Sequence, residues 1–272
     1  MKTIFITGAS TGLGKATAKL FQSKGWKVIA TMRNPEKETE LQYLENVNLL
    51  PLDVTNTEQI EATITKAISM GNIDLVFNNA GYGLVGALES YTETQIIQQI
   101  DTNLIGVLRV IKAFIPYFKM RKNGLFITTT SVCGFSSNPL SPVYNATKWA
   151  LEGFSESISY DLAQFNIGIK TVAPGGIKSD FVKGMQATID QDYETLNKRL
   201  GELFADGTLI TFTEAEQIAA VVYEAATDGK DQLRYLAGED AKKIAQQRLD
   251  QGSENFRINL RQTLNLNAPE LN

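Results

Sequence analysis

Histidine does not occur in this chain, and cysteine occurs once, at Cys133, among 272 residues. Without histidine, Ser-His-Asp and Cys-His catalysis are excluded, and so is the commonest side-chain metal ligand, so no metal site is expected. A lone cysteine excludes an intrachain disulfide and points to a reducing compartment. Positive charge is not in excess: 26 Lys and Arg stand against 30 Asp and Glu, a net charge of −4. That balance gives no electrostatic footprint for nucleic acid or an anionic membrane. No apolar run is long enough to span a bilayer, and Ile4 to Ile6 in the opening MKTIFITGAS is too short for a secretory h-region. A cytoplasmic protein is therefore expected. What is present is an ordinary globular composition, 43% hydrophobic and 21% charged, and a length that buries a substantial core. Chemistry, if there is any, must use Tyr, Lys, Ser, Asp or Glu, or a bound cofactor.

Apolar, β-rich runs alternate with amphipathic stretches from the first residue. TIFIT (Thr3 to Thr7), KVIATM, VNLLPLDV, IDLVFNNA, LFITTT and IGIKTVAP read as strands, and QLRYLAG as a candidate last one. Helical patterns run to about Lys24, over Glu58 to Met70, over Thr94 to Met120, and through EAEQIAAVVYEAA. Continuous apolar strands separated by helices imply right-handed βαβ units. The expected fold class is α/β: a Rossmann-type, doubly wound parallel sheet with helices on both faces. No repeat, low-complexity tract or linker is visible, so one domain over residues 1–272 is expected. After Asp180 the rhythm breaks, and residues 181–207 mix polar and apolar types. From Lys242 the tail is polar and helix-prone, its charges reading as a solvated surface.

TGASTGLGKA (Thr7 to Ala16) joins the first strand to the first helix, with Gly8, Gly12 and Gly14 spaced G-x-x-x-G-x-G. Such a turn suits a pyrophosphate approaching backbone N–H groups at a helix N-terminus, with Ser10, Thr11 and Leu13 in the same loop. A purely structural turn is the alternative. A P-loop is not, because Ala9 and Ala16 stand where Gly and Ser/Thr are required. An NAD site usually places an acid at the end of the second strand. Here no Asp or Glu occurs from Gly14 through Pro35, and Arg33 follows KVIATM. An arginine there can clamp a 2′-phosphate, so NADP(H) is expected ahead of NAD(H); an exposed arginine at a strand end is the plainer alternative. Asp53 and Val54 end the third strand where an adenine could sit, although DVTNTEQ also reads as a helix cap. Asn79, Ala80 and Gly81 close the fourth strand with small residues that would let a cofactor lie against backbone.

In VYNATKWALEGF, Tyr144 and Lys148 share a helix face at i, i+4. An adjacent ammonium favours the phenolate and should lower the tyrosine pKa, making Tyr144 a usable acid or base without histidine. Ser131, thirteen residues before Tyr144, ends the fifth strand, where its hydroxyl could bind a carbonyl oxygen.

In this order, TGASTGLG, Asp53-Val54, NNAG, Asn103, Ser131, and Tyr144 with Lys148 resemble the short-chain dehydrogenase/reductase family over residues 3 to about 180. The resemblance implies that Ser131 orients the substrate oxygen and Tyr144 transfers the proton. Lys148 would tune Tyr144 and hold the nicotinamide ribose, and Asn103 would anchor a water linking the lysine to solvent. Taken alone, Asn103 reads as a polar helix residue bonding to backbone. APGGIKSDF looks like the family's P-G-x-x-x-T element, with Ser179 where threonine is usual; Pro174, Gly175, Ile177 and Ser179 would meet the cofactor there. Thr31-Met32-Arg33 and the turn from Ser131 to Gly134 look like the branch holding 17β-hydroxysteroid and retinol dehydrogenases. By the same analogy, substrate contacts come from Ser131, Val132, Cys133, Tyr144 and Phe181, beneath a lid of about residues 177–206. An apolar ketone, aldehyde or secondary alcohol is the expected substrate, and a homodimer or homotetramer the expected assembly. The competing reading is a regulatory protein on the same fold that binds NADP(H) without turnover.

Overall fold

The computed structural model describes residues 1–179 and 184–268. Its centre is a seven-stranded parallel sheet made of β1 (Thr3–Thr7), β2 (Lys27–Met32), β3 (Val47–Pro51), β4 (Leu75–Asn78), β6 (Gly124–Thr129), β7 (Ile167–Pro174) and β11 (Arg234–Ala237). The strand order is β11-β7-β6-β4-β1-β2-β3, so the chain winds outward in both directions from β1. Two short parallel pairs lie apart from it: β5 (Leu84–Val85) with β9 (Gln186–Ala187), and β8 (Gly176–Lys178) with β10 (Phe212–Glu214).

Period-two alternation explains why these strands are apolar throughout. In β1, Ile4 and Ile6 point into one core, with α1 (Gly12–Ser23) and α7 (Ala215–Thr227). Phe5 between them points into the other, with α2 (Thr57–Ser69), α4 (Gly106–Arg121) and α5 (Pro142–Ala163). Both faces being covered, no strand face needs polar residues. A third, smaller core joins Ala87 and Leu140 to Leu200 and Leu203 of α6 (Glu194–Ala205), and to Leu264, just past α8 (Glu239–Thr263). Helix α8 bends at Gly252, where φ is 74°, and this turns the chain back over α6. Arg248, before the bend, lies 5.4 Å over the Trp149 ring of α5.

Three expectations are corrected. The Thr94–Met120 helix is two: α3 (Glu93–Ile100), started by a Thr92–Gln95 capping box, and α4, with a π-helical turn Asp101–Ile105 between them. The third strand ends at Pro51, not Val54, because Asp53 bends the chain by accepting the N–H and hydroxyl of Thr55 at 2.9 and 2.7 Å. Asp53 does not cap α2; Asn56 does, through its side-chain oxygen and the Gln59 N–H. The charges of the tail, such as Lys242 and Arg257, are exposed, while its Leu260 and Leu264, not anticipated, pack into the third core. Among the described residues no helix is long and apolar enough to cross a membrane.

Candidate active site

The carboxyl ends of β1, β4, β6 and β7 form one edge of the sheet, and the residues singled out in the sequence gather there. In the loop after β1, Gly8 has φ +67°, and a Cβ at this position would stand 2.8 Å from the Ala80 Cα. Gly14 faces a different limit: a Cβ there would overlap the Gly8 carbonyl oxygen, so α1 could not start this close to β1. Leu13 is buried in the core beneath, while Ser10 and Thr11 are exposed. Thr11 occupies the N-cap of α1 yet makes no side-chain cap bond, and the first turn carries no acid. The opening N–H groups of α1 therefore keep their capacity for an anion. The donor chemistry of this cradle fits a dinucleotide pyrophosphate.

Around the cradle the other cofactor candidates are placed by hydrogen bonds. The N–H groups of Asn79 and Ala80 donate to the Thr7 hydroxyl at 3.0 and 3.1 Å, and the Asn79 amide donates to the Gly8 carbonyl at 3.1 Å. Val54 is buried against Gly106 at the start of α4. Pro174 ends β7, Gly175 donates to Ala237 O at 3.1 Å, and Ile177 lies in β8. Ser179 comes up against Gly12. Arg33 is exposed just beyond β2, on the same edge. Phe181 lies outside the described residues.

Ser131, Tyr144 and Lys148 converge. Ser131 caps the turn Val132–Gly134, accepting the Cys133 N–H at 3.1 Å, and its hydroxyl is hydrogen-bonded to that of Tyr144. Val132, Cys133 and Tyr144 pack together. Lys148 Nζ donates to Thr129 O at 2.8 Å and lies 5.7 Å over the centre of the Tyr144 ring. Burial dominates the electrostatics. It pushes the Tyr144 phenol up, the Cys133 sulfur adding to the effect and the Ser131 hydrogen bond opposing it. It pulls Lys148 down to about 8, against the raising effect of Cys133 and Glu152. Lys148 is not among the causes of the rise at Tyr144, so the lowering expected from its ammonium does not appear at the phenol in this pocket.

Asn103 sits in the π-helical turn, 1% exposed. Its Nδ2 donates to Tyr82 O at 2.8 Å and its Oδ1 accepts the Tyr82 N–H at 3.1 Å. It is thus joined to the backbone after Gly81, and no direct bond to Lys148 occurs among the described residues. A π-turn re-aims one side chain within a helix, and such turns cluster at functional sites.

Two groups were missed in the sequence. Glu38 is 4% exposed, accepts the N–H groups of Glu40 and Leu41 at 2.8 and 3.0 Å, and pairs with Lys15 at 3.1 Å. Glu152 is buried one turn beyond Lys148. Its signal was already in VYNATKWALEGF, where position 152 continues the 144, 148 spacing. A cavity of about 640 Å³ lies between the Gly86–Glu89 segment, the loop at Asn138 to Leu140, and Trp149; Ser131, Tyr144 and Lys148 do not line it.

A doubly wound sheet with a glycine-rich dinucleotide cradle and a Ser-Tyr-Lys cluster at one edge defines a nicotinamide-dependent oxidoreductase. The family model described as short chain dehydrogenase matches residues 2–190, and the chain belongs to this short-chain dehydrogenase/reductase family. Human retinol dehydrogenase 8 is 34% identical over 211 residues, 72% of this chain and 67% of that protein, which places the likeness in the retinol dehydrogenase-like branch. Among solved structures, a short-chain dehydrogenase from Streptomyces avermitilis superposes with a TM-score of 0.84 at 28% identity, covering 96% of this chain and 95% of its own. ElxO with NADP bound gives a TM-score of 0.74 at 27% identity, covering 89% and 99%.

Proposed function

We propose that this chain is an NADP(H)-preferring oxidoreductase of apolar ketones, aldehydes or secondary alcohols, with Tyr144 as the proton donor and acceptor. The observation that carries this reading is the hydrogen-bonded Ser131–Tyr144 hydroxyl pair beside Lys148. The nicotinamide, when bound, supplies or takes the hydride. At neutral pH the buried Tyr144 phenol holds its proton, the form needed to protonate a carbonyl oxygen during reduction. Ser131 donates to that oxygen as negative charge develops on it. Lys148, at about 8, is still a cation at neutral pH and stabilises the phenolate left after proton transfer.

For the phosphate end, Ser10, Thr11, Gly12 and the N-terminus of α1 hold the pyrophosphate, and Arg33 meets the 2′-phosphate. Two observations support NADP(H). The one buried acid soon after β2, Glu38, is spent on Lys15 and two backbone N–H groups rather than turned to a ribose, while the exposed Glu36 lies four residues beyond the strand. ElxO, which binds NADP, shares the fold at 27% identity. Lys148 and Asn103 serve the nicotinamide half, with Pro174, Gly175, Ile177 and Ser179 along its edge.

Val132, Cys133 and the described part of the lid, within residues 177–206, give an apolar substrate its wall, and Phe181, expected there from the sequence, lies outside the described residues. The described part of that lid is pinned by β5–β9 pairing, by Ser90 donating to Asp190 at 2.6 Å, and by Tyr193 donating to Glu89 at 2.7 Å. A homo-oligomer is the assembly this reading carries, and exposed Met120 on α4 and Tyr160 on α5 are compatible with a partner copy there.

The test is Tyr144→Phe. NADPH titration should give an unchanged Kd, while kcat for ketone reduction falls by about 10³-fold or more. A variant that keeps kcat within tenfold of the parent would overturn the assignment.

A further inference from the structure

Helix α5 carries three ionisable side chains on one face. Four residues advance a helix by little more than one full turn, so Tyr144, Lys148 and Glu152 form a slowly drifting row. The first two belong to the chemistry proposed above. Glu152 touches nothing that reacts, yet it is 4% exposed and every contact of its carboxylate is specific. Oε1 accepts the Thr130 hydroxyl at 2.5 Å. Oε2 accepts Arg234 through Nε and Nη2, both at 2.8 Å, and the Thr171 hydroxyl at 3.3 Å.

One carboxylate thus joins α5 to the residue just past β6, to the middle of β7 and to the start of β11. Thr130 immediately precedes Ser131, so the carboxylate ties the residue beside the reacting hydroxyl to the helix that carries its two partners. The turn over Val132–Gly134 presses onto the same side chain, since a Cβ on Gly134 would stand 2.9 Å from Glu152 Cγ. Arg234 reaches inward from β11, its guanidinium 5.9 Å over the Phe135 ring. A buried carboxylate, here paired with an arginine that is itself partly exposed, is an expensive way to fill space, and apolar side chains of equal volume commonly hold a core as well or better. What an apolar side chain could not provide is a negative charge one turn from Lys148.

We infer that Glu152, held in place by Arg234, is a positioning residue for this site, fixing the Thr130–Ser131 strand end against α5 and setting the field at Lys148. The inference rests on the reading that Tyr144 and Lys148 transfer the proton. Among the described residues, the ionisable groups facing Lys148 are Tyr144 and Glu152 from its own helix, Cys133 from the turn after β6, and Arg234 from β11 behind Glu152. Glu152 favours the ammonium, and Arg234 opposes it by neutralising Glu152.

The sign of this arrangement is what the experiment reads. The pH profile of kcat/KM for ketone reduction is measured for the parent, Glu152→Gln and Arg234→Gln. Glu152→Gln should move the alkaline limb to lower pH and Arg234→Gln should move it to higher pH, each by about half a unit or more, with the Kd for NADPH unchanged in both. Limbs that move the same way, or that stay put, overturn the inference, because lost packing alone gives no opposite signs. If Glu152→Gln does not fold, Arg234→Gln decides by itself: its side chain is 39% exposed, and only an upward limb supports the proposal. The two levels separate cleanly. An active Tyr144→Phe removes the underlying reading, whereas an inactive Tyr144→Phe with unmoved limbs removes this inference alone.

Discussion

Lys148 is caught between solvation and use. Burial takes its ammonium down to about 8, with Cys133 and Glu152 pulling the other way. A lysine lowered from 10.5 loses its charge as pH rises through the lowered value, so the cation that stabilises the phenolate is present below about pH 8 and lost above it. Ketone reduction should therefore keep its kcat/KM from pH 6 to 7.5 and fall above 8; a profile level to pH 10 would contradict the role given to Lys148. Arg33 carries the second prediction at this scale. Because only NADPH has the extra phosphate, Arg33→Ala should weaken NADPH binding by about 10-fold or more and leave NADH within twofold, measured by fluorescence titration. Equal losses would remove Arg33 from the site. The side chains proposed to react were legible because Tyr144 and Lys148 stand one helical turn apart in sequence and Ser131 follows a strand. Glu38, Thr130 and Arg234 were not. Their residue types are those of ordinary surfaces, and Glu152 meets Arg234 only because β11 is laid beside β7, 82 residues along the chain.

Among the elements, strands were easier to read than breaks. The sheet strands announce themselves through runs that are apolar on both faces, and the switch from period two to period 3.6 marks α1, α2 and α7. Nothing in DTNLIG signals the π-turn, because its cause is tertiary: Asn103 is drawn to the Tyr82 backbone while Gly106 packs on Val54. The third core was likewise hidden, since Ala87, Leu140, Leu203 and Leu264 come from four separate segments. It gives a prediction of its own. Leu264 is 4% exposed, and Leu264→Ala should cost about 2–4 kcal/mol of local stability. Faster amide exchange is expected over residues 194–205, with a raised KM for the carbonyl substrate and an unchanged Kd for NADPH. Unaltered exchange there would detach the C-terminal segment from α6.

At the level of the whole molecule, the far side of the sheet is closed by a polar lock. Lys170 of β7, 8% exposed, donates to Asp228 at 2.9 Å, to Ala225 O at 2.8 Å and to Tyr235 of β11 at 3.0 Å. Tyr235 in turn donates to Asp228 at 2.7 Å. Burial pushes Asp228 up, but these hydrogen bonds and the Lys230 N–H outweigh it and hold the carboxyl at about 2. A carboxyl lowered from 3.8 stabilises the fold above that value and loses the contribution as pH falls towards 2. Lys170→Met leaves Asp228 with Tyr235 and the exposed Lys230 as partners and should cost about 1–3 kcal/mol in urea unfolding at neutral pH. The deficit should shrink as the acid is protonated, and a deficit that does not vary between pH 7 and 3 would show that packing, not charge, is lost.

The bend at Gly252 has a practical consequence for anyone handling this protein. The two ends of the chain are not equivalent handles. Met1 leads into β1 in the central sheet, whereas Leu264 forms part of the small apolar core that seats α6. A bulky partner fused shortly after Leu264 would press on the small core that seats α6, whereas Met1 is exposed and no part of that core.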